Sequence, residues 1–176
     1  MDETSDSLKS LLKELLALPK ETEWVEFKLN NDDPQEIGEY LSALSNSAVL
    51  AGKSKGYLVW GVENTTHNII GTKVDPKHLK KGNEELESWL LKLLSPKIDF
   101  HFYETQIDDR RVVILEISRA TNNPVQFQGH EYIRVGSYKK SLKDFPEKER
   151  ALWRIFDKAP FEILPAKEKL TSDEVL

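Results

Sequence analysis

Lys55-Gly56-Tyr57-Leu58-Val59-Trp60-Gly61-Val62-Glu63-Asn64 is the stretch whose reading decides the fold. Tyr, Val and Trp favour a pleated, packed backbone, and the run is too short for a free-standing helix. Nearly every position is apolar, so both faces are expected to be covered. The stretch therefore reads as the central strand of a mixed sheet. Its end delivers Glu63 and Asn64 to the sheet edge, where α/β proteins commonly place ligand sites.

Upstream, Glu21-Thr22-Glu23-Trp24-Val25-Glu26-Phe27-Lys28 reads as a neighbouring first strand. Period-two alternation sets Glu23, Val25 and Phe27 on one face, and Trp24, Glu26 and Lys28 on the other. A carboxylate and a lysine two residues apart on a strand are what some metal-dependent nucleases use, and also what a salt-bridged, half-buried strand needs. Residues 34–50 follow as a helix. Pro34 suits its first turn, and Ile37, Leu41, Leu44, Ala48 and Val49 form its apolar stripe. Asn46 on that helix must find partners, either as a satisfied core amide or as a group that positions neighbouring loops. Gly52-Lys53-Ser54-Lys55-Gly56 is a short basic connection into the central strand. Further upstream, Leu8, Leu11, Leu12, Leu15 and Leu16 recur at helical steps over residues 7–18, and Pro19 ends the pattern. A helix docked outside the sheet is expected there.

Downstream, residues 69–72 are expected to pair back as a short strand and residues 84–94 to form a helix. Residues 98–107 and 111–118 read as antiparallel strands around Asp108-Asp109-Arg110, and 125–128 with 130–135 as a hairpin around Gly129. A last helix is expected over 146–156. His67, and the lysines with His78 around Asp75, read as ordinary loop residues as readily as site residues. Arg134, the Gly136-Ser137 turn, Tyr138, Lys139 and Lys140 combine a guanidinium, turn amides, a hydroxyl, an aromatic face and two ammonium groups. Binding to a phosphate backbone wants that mixture.

Composition bounds the rest. In 176 residues, 39% are hydrophobic and 31% charged, a globular balance. The absence of cysteine excludes disulfides and thiolate metal sites. No apolar run of membrane-spanning length and no secretion signal is present, so the cytoplasm is the expected compartment, with no membrane partner. A net charge of -5 requires any nucleic-acid-binding residues to be gathered on one local face. There is no P-loop and no nucleophile elbow.

Glu21, Glu26-Phe27-Lys28, Leu41 to Ser47 with Asn46, the central stretch with Gly56 and Gly61, Gly71, Pro124, and Tyr132-Ile133-Arg134-Val135-Gly136-Ser137 occur in order at sensible spacing. Together they resemble the Schlafen/AlbA-type DNA-binding domain over roughly residues 20–155. The family's usual glycine pair before the central strand is reduced to Gly56, and its usual aspartate after Gly-Val is Glu63. The resemblance implies an α/β (α+β) fold, a mixed sheet flanked by helices. With the leucine pattern before it and the Pro-, Lys- and acid-rich tail after it, the chain divides into a docking helix at 1–19, the domain at 20–157, and a linker at 158–176 toward a further C-terminal region of a longer chain. The resemblance also implies a nucleic-acid-binding module, DNA above RNA, of a bacterial transcriptional regulator. Arg134, Ser137, Lys139, Lys140, Lys53 and Lys55 would then be contact residues, and Asn46, Gly56, Gly61, Gly71 and Gly136 positioning residues.

No cofactor is required on that reading, and a homodimer is compatible with it. The alternative the resemblance implies is a nuclease using Mg2+ or Mn2+ on Glu21, Glu26 and Glu63 with Lys28. A third possibility is a protein-interaction or sensing domain whose polar site is silent. Non-enzymatic binding ranks first.

Overall fold

The computed structural model describes residues 3–168, with side chains over 5–158. Its elements in chain order begin with α1 (Glu3–Leu16), β1 (Val25–Lys28), α2 (Pro34–Leu50) and β2 (Lys55–Trp60). A small ribbon follows, β3 (Lys80–Lys81) and β4 (Glu84–Glu85), then α3 (Leu86–Leu93) and β5 (Leu94–Ser95). The long strands β6 (Phe100–Ile107) and β7 (Arg110–Ser118) precede β8 (Gln126–Phe127), β9 (His130–Val135) and β10 (Tyr138–Ser141). A 3-10 turn at Leu142–Asp144 leads into α4 (Pro146–Glu168).

The architecture is the mixed α/β one expected, but it holds two four-stranded sheets. The first has the order β1-β2-β7-β6, the second β10-β9-β8-β5, and β3-β4 stand apart. β1 runs parallel to β2, with Glu26 opposite Leu58 and Lys28 opposite Trp60, while β7 pairs antiparallel on the other side of β2. β2 is thus the interior strand that its apolar run foretold. Trp60 is fully buried and its indole N–H donates to Asn31 O at 2.7 Å.

α2 and α1 cover opposite faces of the first sheet. Leu58, Trp60, Leu115 and Ile117 pack in one cluster with Leu41 and Leu44 of α2. Val25, Phe27, Tyr57, Val59 and Ile114 pack in a second cluster with Leu12 and Leu15 of α1. Each of those two leucines is essentially removed from water, which stabilises the docking by about 1.5–3 kcal/mol per side chain.

Polar residues of α2 join it to the second sheet. The Asn46 amide donates to Val125 O at 3.1 Å and Tyr132 O at 3.0 Å, and its oxygen accepts from Val125 N at 2.8 Å. Ser42 donates to Val125 O and accepts from Tyr132 N. Ser47 Oγ accepts from Arg134 N at 3.0 Å. All three side chains are buried, so each bond stands where water cannot replace it. The two readings open for Asn46 therefore coincide: it is a satisfied core amide, and it fixes the segments that carry Arg134.

Several expectations shift. The first strand begins at Val25 instead of residue 21, because the chain turns at 19–24, where Thr22 N donates to Pro19 O. Trp24 consequently packs on the α1 side with Tyr57, away from the Glu26 face. The strand expected at 69–72 is a single bridge between Val62 and Ile69. It is replaced by a tight turn in which Ile70 N and Gly71 N both donate to Gly61 O. Gly61, with φ +102°, lies where a Cβ would stand 2.9 Å from Arg111 O, so the turn needs glycine. The last helix continues past 156 to Glu168, so the first part of the expected 158–176 linker is helical, and residues 169–176 lie outside the described residues.

Candidate nucleic-acid interface

β1 with the turn before it, α2 and the β9–β10 hairpin meet around Arg134. β9 and β10 pair antiparallel, with Arg134 opposite Lys139 and Val135 opposite Tyr138 across the Gly136-Ser137 turn. Gly136 has φ +60°, the left-handed conformation that a two-residue hairpin turn uses.

Arg134 is only 2% exposed. Its guanidinium donates to Val25 O at 2.7 Å and Gly136 O at 3.1 Å, and stands 3.1 Å from Glu26 Oε1. Its Nε has no partner among the described residues. Glu26, also buried, faces Lys28 through its other oxygen at 3.2 Å. Glu26 and Lys28 thus share a face as the alternation requires. Burial alone would lower the Lys28 ammonium, but the Glu26 carboxylate and Tyr40 outweigh it and hold it above its ordinary value. The guanidinium expected to contact a phosphate instead pairs inside the protein. A phosphate in solution has no access to this guanidinium. It ties β1 to the hairpin and neutralises Glu26.

The other expected contact residues divide. Lys139 lies 2.7 Å from Glu39 and 3.1 Å from Glu36, and 4.5 Å over the Tyr40 ring. Burial lowers its ammonium, but the two glutamates hold it above its ordinary value. Lys139 is therefore already neutralised. Gly136 N donates to Glu23 Oε2 at 2.7 Å, so the turn amide is also spoken for, with the Glu21 carboxylate beside the same glycine. Lys55 stands 4.0 Å from Glu116 and donates to Ser118 Oγ. Lys53 is exposed and lies over Trp24. Lys139 and Lys55 thus face carboxylates, and Lys53 an aromatic ring.

What the hairpin leaves open is its tip. Ser137 and Lys140 are exposed, Tyr138 is 67% exposed, and the Lys140 ammonium sits 5.4 Å over the Tyr138 ring. Lys143, just beyond β10, is exposed as well. The lysines and the tyrosine were visible in the sequence. Glu36, Glu39 and Tyr40, which occupy Lys139, were not, since an i, i+3, i+4 group on a helix gives no hint of its tertiary partner.

The acidic set Glu21, Glu26 and Glu63 does not assemble. Glu63 lies beyond β2 in its own turn, where it accepts from Thr65 N at 3.0 Å and Thr65 Oγ1 at 2.9 Å. Those bonds hold its carboxyl below the ordinary glutamate value. Both Glu26 oxygens already face cations. Among the described residues no three histidine, aspartate or glutamate side chains converge as a metal site. These donors do not fit a shared Mg2+ or Mn2+. His67 Nδ1 donates to Leu16 O at 3.0 Å and the ring packs on Phe27, so it pins the end of α1. No helix among the described residues is long and apolar enough to cross a membrane.

Comparison with known proteins supplies the family. The Schlafen, AlbA_2 family model matches residues 21–143, and the chain belongs to that family. Among solved structures, the DIP2311 protein from Corynebacterium diphtheriae is similar at TM-score 0.53 and 17% identity, over 90% of this chain and 29% of that one. This chain thus spans under a third of that protein's length. The N-terminal domain of a RecG-related protein from Nitrosomonas europaea matches at TM-score 0.47 and 20% identity, over 80% of this chain and 89% of that one. No curated protein matches.

Proposed function

We propose that this member of the Schlafen, AlbA_2 family is a nucleic-acid-binding module of a longer regulatory protein, with DNA as its expected ligand, and that the β9–β10 tip makes the contact. One observation carries the reading: Tyr138 stands 67% exposed on a rigid hairpin with the Lys140 ammonium over its ring. An exposed aromatic face beside a cation is the element on which unpaired bases stack while the cation meets the adjacent phosphate. The hairpin is rigid because Arg134, Ser47 and Glu23 hold both sides of its turn. Ser137 adds a hydroxyl and Lys143 a further charge. Arg134 acts here as a positioning residue, and Lys139 as a neutralised one.

The tip, with Lys140, Lys143 and the single ring of Tyr138 exposed, suits a single strand better than a duplex, and suits shape over sequence. The test is fluorescence anisotropy with labelled single-stranded DNA, single-stranded RNA and duplex DNA across a salt series. Tyr138→Ala should weaken single-strand binding about 5- to 150-fold, the loss of one stacked base. Lys140→Gln should reduce the slope of log affinity against log salt by about 0.7, one phosphate contact on a single strand. Affinity unchanged in both variants would remove the tip from the function.

A further inference from the structure

A second aromatic and basic feature lies away from the hairpin. Between α1, the turn before β1 and the start of β2 is an open cavity of about 260 Å³. Leu11 and Leu15 of α1 and Trp24 form its apolar side, with Tyr57 behind them, and the Trp24 and Tyr57 rings lie 6.1 Å apart at 58°. The basic connection, Lys53, Ser54 and Lys55, lines it as well, with Glu14. Among the described residues, the Lys53 ammonium has neither a carboxylate nor a hydrogen-bond acceptor, and rests 5.1 Å over the Trp24 ring. The exposed Ser54 hydroxyl likewise has no partner there. Lys55 is half-committed, at 4.0 Å from Glu116.

The parts ask for a particular ligand. The cavity lies just under the roughly 300–1,000 Å³ of ordinary small-molecule sites, so it has room for one ring system and a compact group. Trp24 offers an aromatic face on which a planar ring can stack, and Lys53 is the group that now covers it. A ring taking that place would leave its own anion beside the displaced ammonium, the Ser54 hydroxyl and Lys55. Glu14, a carboxylate with two acceptor oxygens, repels a second anion but accepts from N–H groups on the edge of a ring. A planar ring with N–H donors on its edge and an anion on a short arm is the chemistry of a nucleotide.

We infer that this cavity is a nucleotide subsite, with the base on Trp24, its N–H edge toward Glu14, and the phosphate at Lys53, Ser54 and Lys55. The subsite goes beyond the hairpin-tip reading and does not depend on it. The nucleotide can be free or can be the 5′ end of a strand, and the two share the same chemistry.

The experiment follows the indole N–H resonance of Trp24 in the full chain, assigned with Trp24→Phe. The probes are guanosine and adenosine 5′-monophosphates, the matched nucleosides, inorganic phosphate, and one oligonucleotide with and without a 5′-phosphate. A monophosphate should move the Trp24 signal saturably, while nucleoside or phosphate alone binds at least about tenfold more weakly. Lys53→Glu, a surface change that leaves the fold intact, should weaken the monophosphate about tenfold or more. A shift with free monophosphate assigns the free nucleotide, and a shift only with the 5′-phosphorylated oligonucleotide assigns a strand end. Tyr138→Ala should leave the Trp24 response unchanged while it weakens strand binding. No saturable shift up to about 10 mM of any probe, a response indifferent to Lys53→Glu, or one abolished by Tyr138→Ala would overturn the inference.

Discussion

Replacing Arg134 by alanine removes the group that joins β1, α2 and the β9–β10 hairpin. In the native protein its guanidinium serves three acceptors: the Val25 and Gly136 carbonyls and the Glu26 carboxylate. Arg134 and Glu26 are 2% and 6% exposed at the side chain, so water cannot take over those bonds. Breaking one side of a buried ion pair costs about 3–5 kcal/mol, chiefly because the partner charge is left buried. Lys28 remains 3.2 Å from Glu26 and offsets part of that cost. The two orphaned carbonyls act the other way, at about 1 kcal/mol or more each when buried. The sum stays at roughly 3–5 kcal/mol, a melting point lower by about 6–20 °C for a chain of this size.

Urea unfolding followed by tryptophan fluorescence should show a lower midpoint with an unchanged slope. Arg134→Lys should recover little of the loss, since one ammonium cannot reproduce a planar fork serving two carbonyls and a carboxylate. The double variant Arg134→Met with Glu26→Leu should be more stable than Arg134→Ala alone, because the buried carboxylate is removed with its partner, and Lys28, which loses an ion pair, is 25% exposed at the side chain. A loss below about 1 kcal/mol for Arg134→Ala would refute the reasoning, since that is the range of a solvated pair. So would a double variant less stable than the single one.

Burial, the largest influence on Glu39, pushes its carboxyl up, but bonds from Gln35, Lys139 and Tyr132 outweigh it and leave it below the ordinary 4.5. A depressed value stabilises the fold above 4.5 and is lost as pH falls through the folded value, so Lys139→Met should flatten the decline of the urea midpoint below about pH 5. Burial, with Glu116 and Glu14, pushes the Tyr57 phenol from 10.0 to about 12. Its stabilisation is complete below 10.0 and lost as pH rises through about 12, so Tyr57→Phe should show a flatter alkaline limb than the native chain in the same urea series. A Cβ on Gly38 would lie 2.1–2.4 Å from the ring of Phe127, itself fully buried, so Gly38→Ala should cost about 1–3 kcal/mol in thermal unfolding, and adding Phe127→Leu should relieve part of it.

The sequence by itself determined the elements whose signal is local. The apolar run at β2 made an interior strand, because an uninterrupted apolar strand must be covered on both faces. Pro34 and the stripe from Ile37 to Val49 marked α2 to its exact bounds, since capping and period are short-range properties. The alternation of Glu26 and Lys28 put both on one face for the same reason. The ordered motifs from Glu21 to Ser137 identified the family before any contact was known.

Only the tertiary structure decided how charges are shared. Arg134 and Lys139 look like free cations in the chain, and became internal groups because Glu26 of β1 and Glu36 and Glu39 of α2 reach them from 100 or more positions away. Splitting one expected sheet into two was likewise non-local: it rests on the buried Ser42, Asn46 and Ser47, whose partners lie in β9 and beside β8. Which charged residue meets solvent depends on what the fold packs against it. Burial and pairing are properties of the assembled surface, and period and propensity carry no record of them.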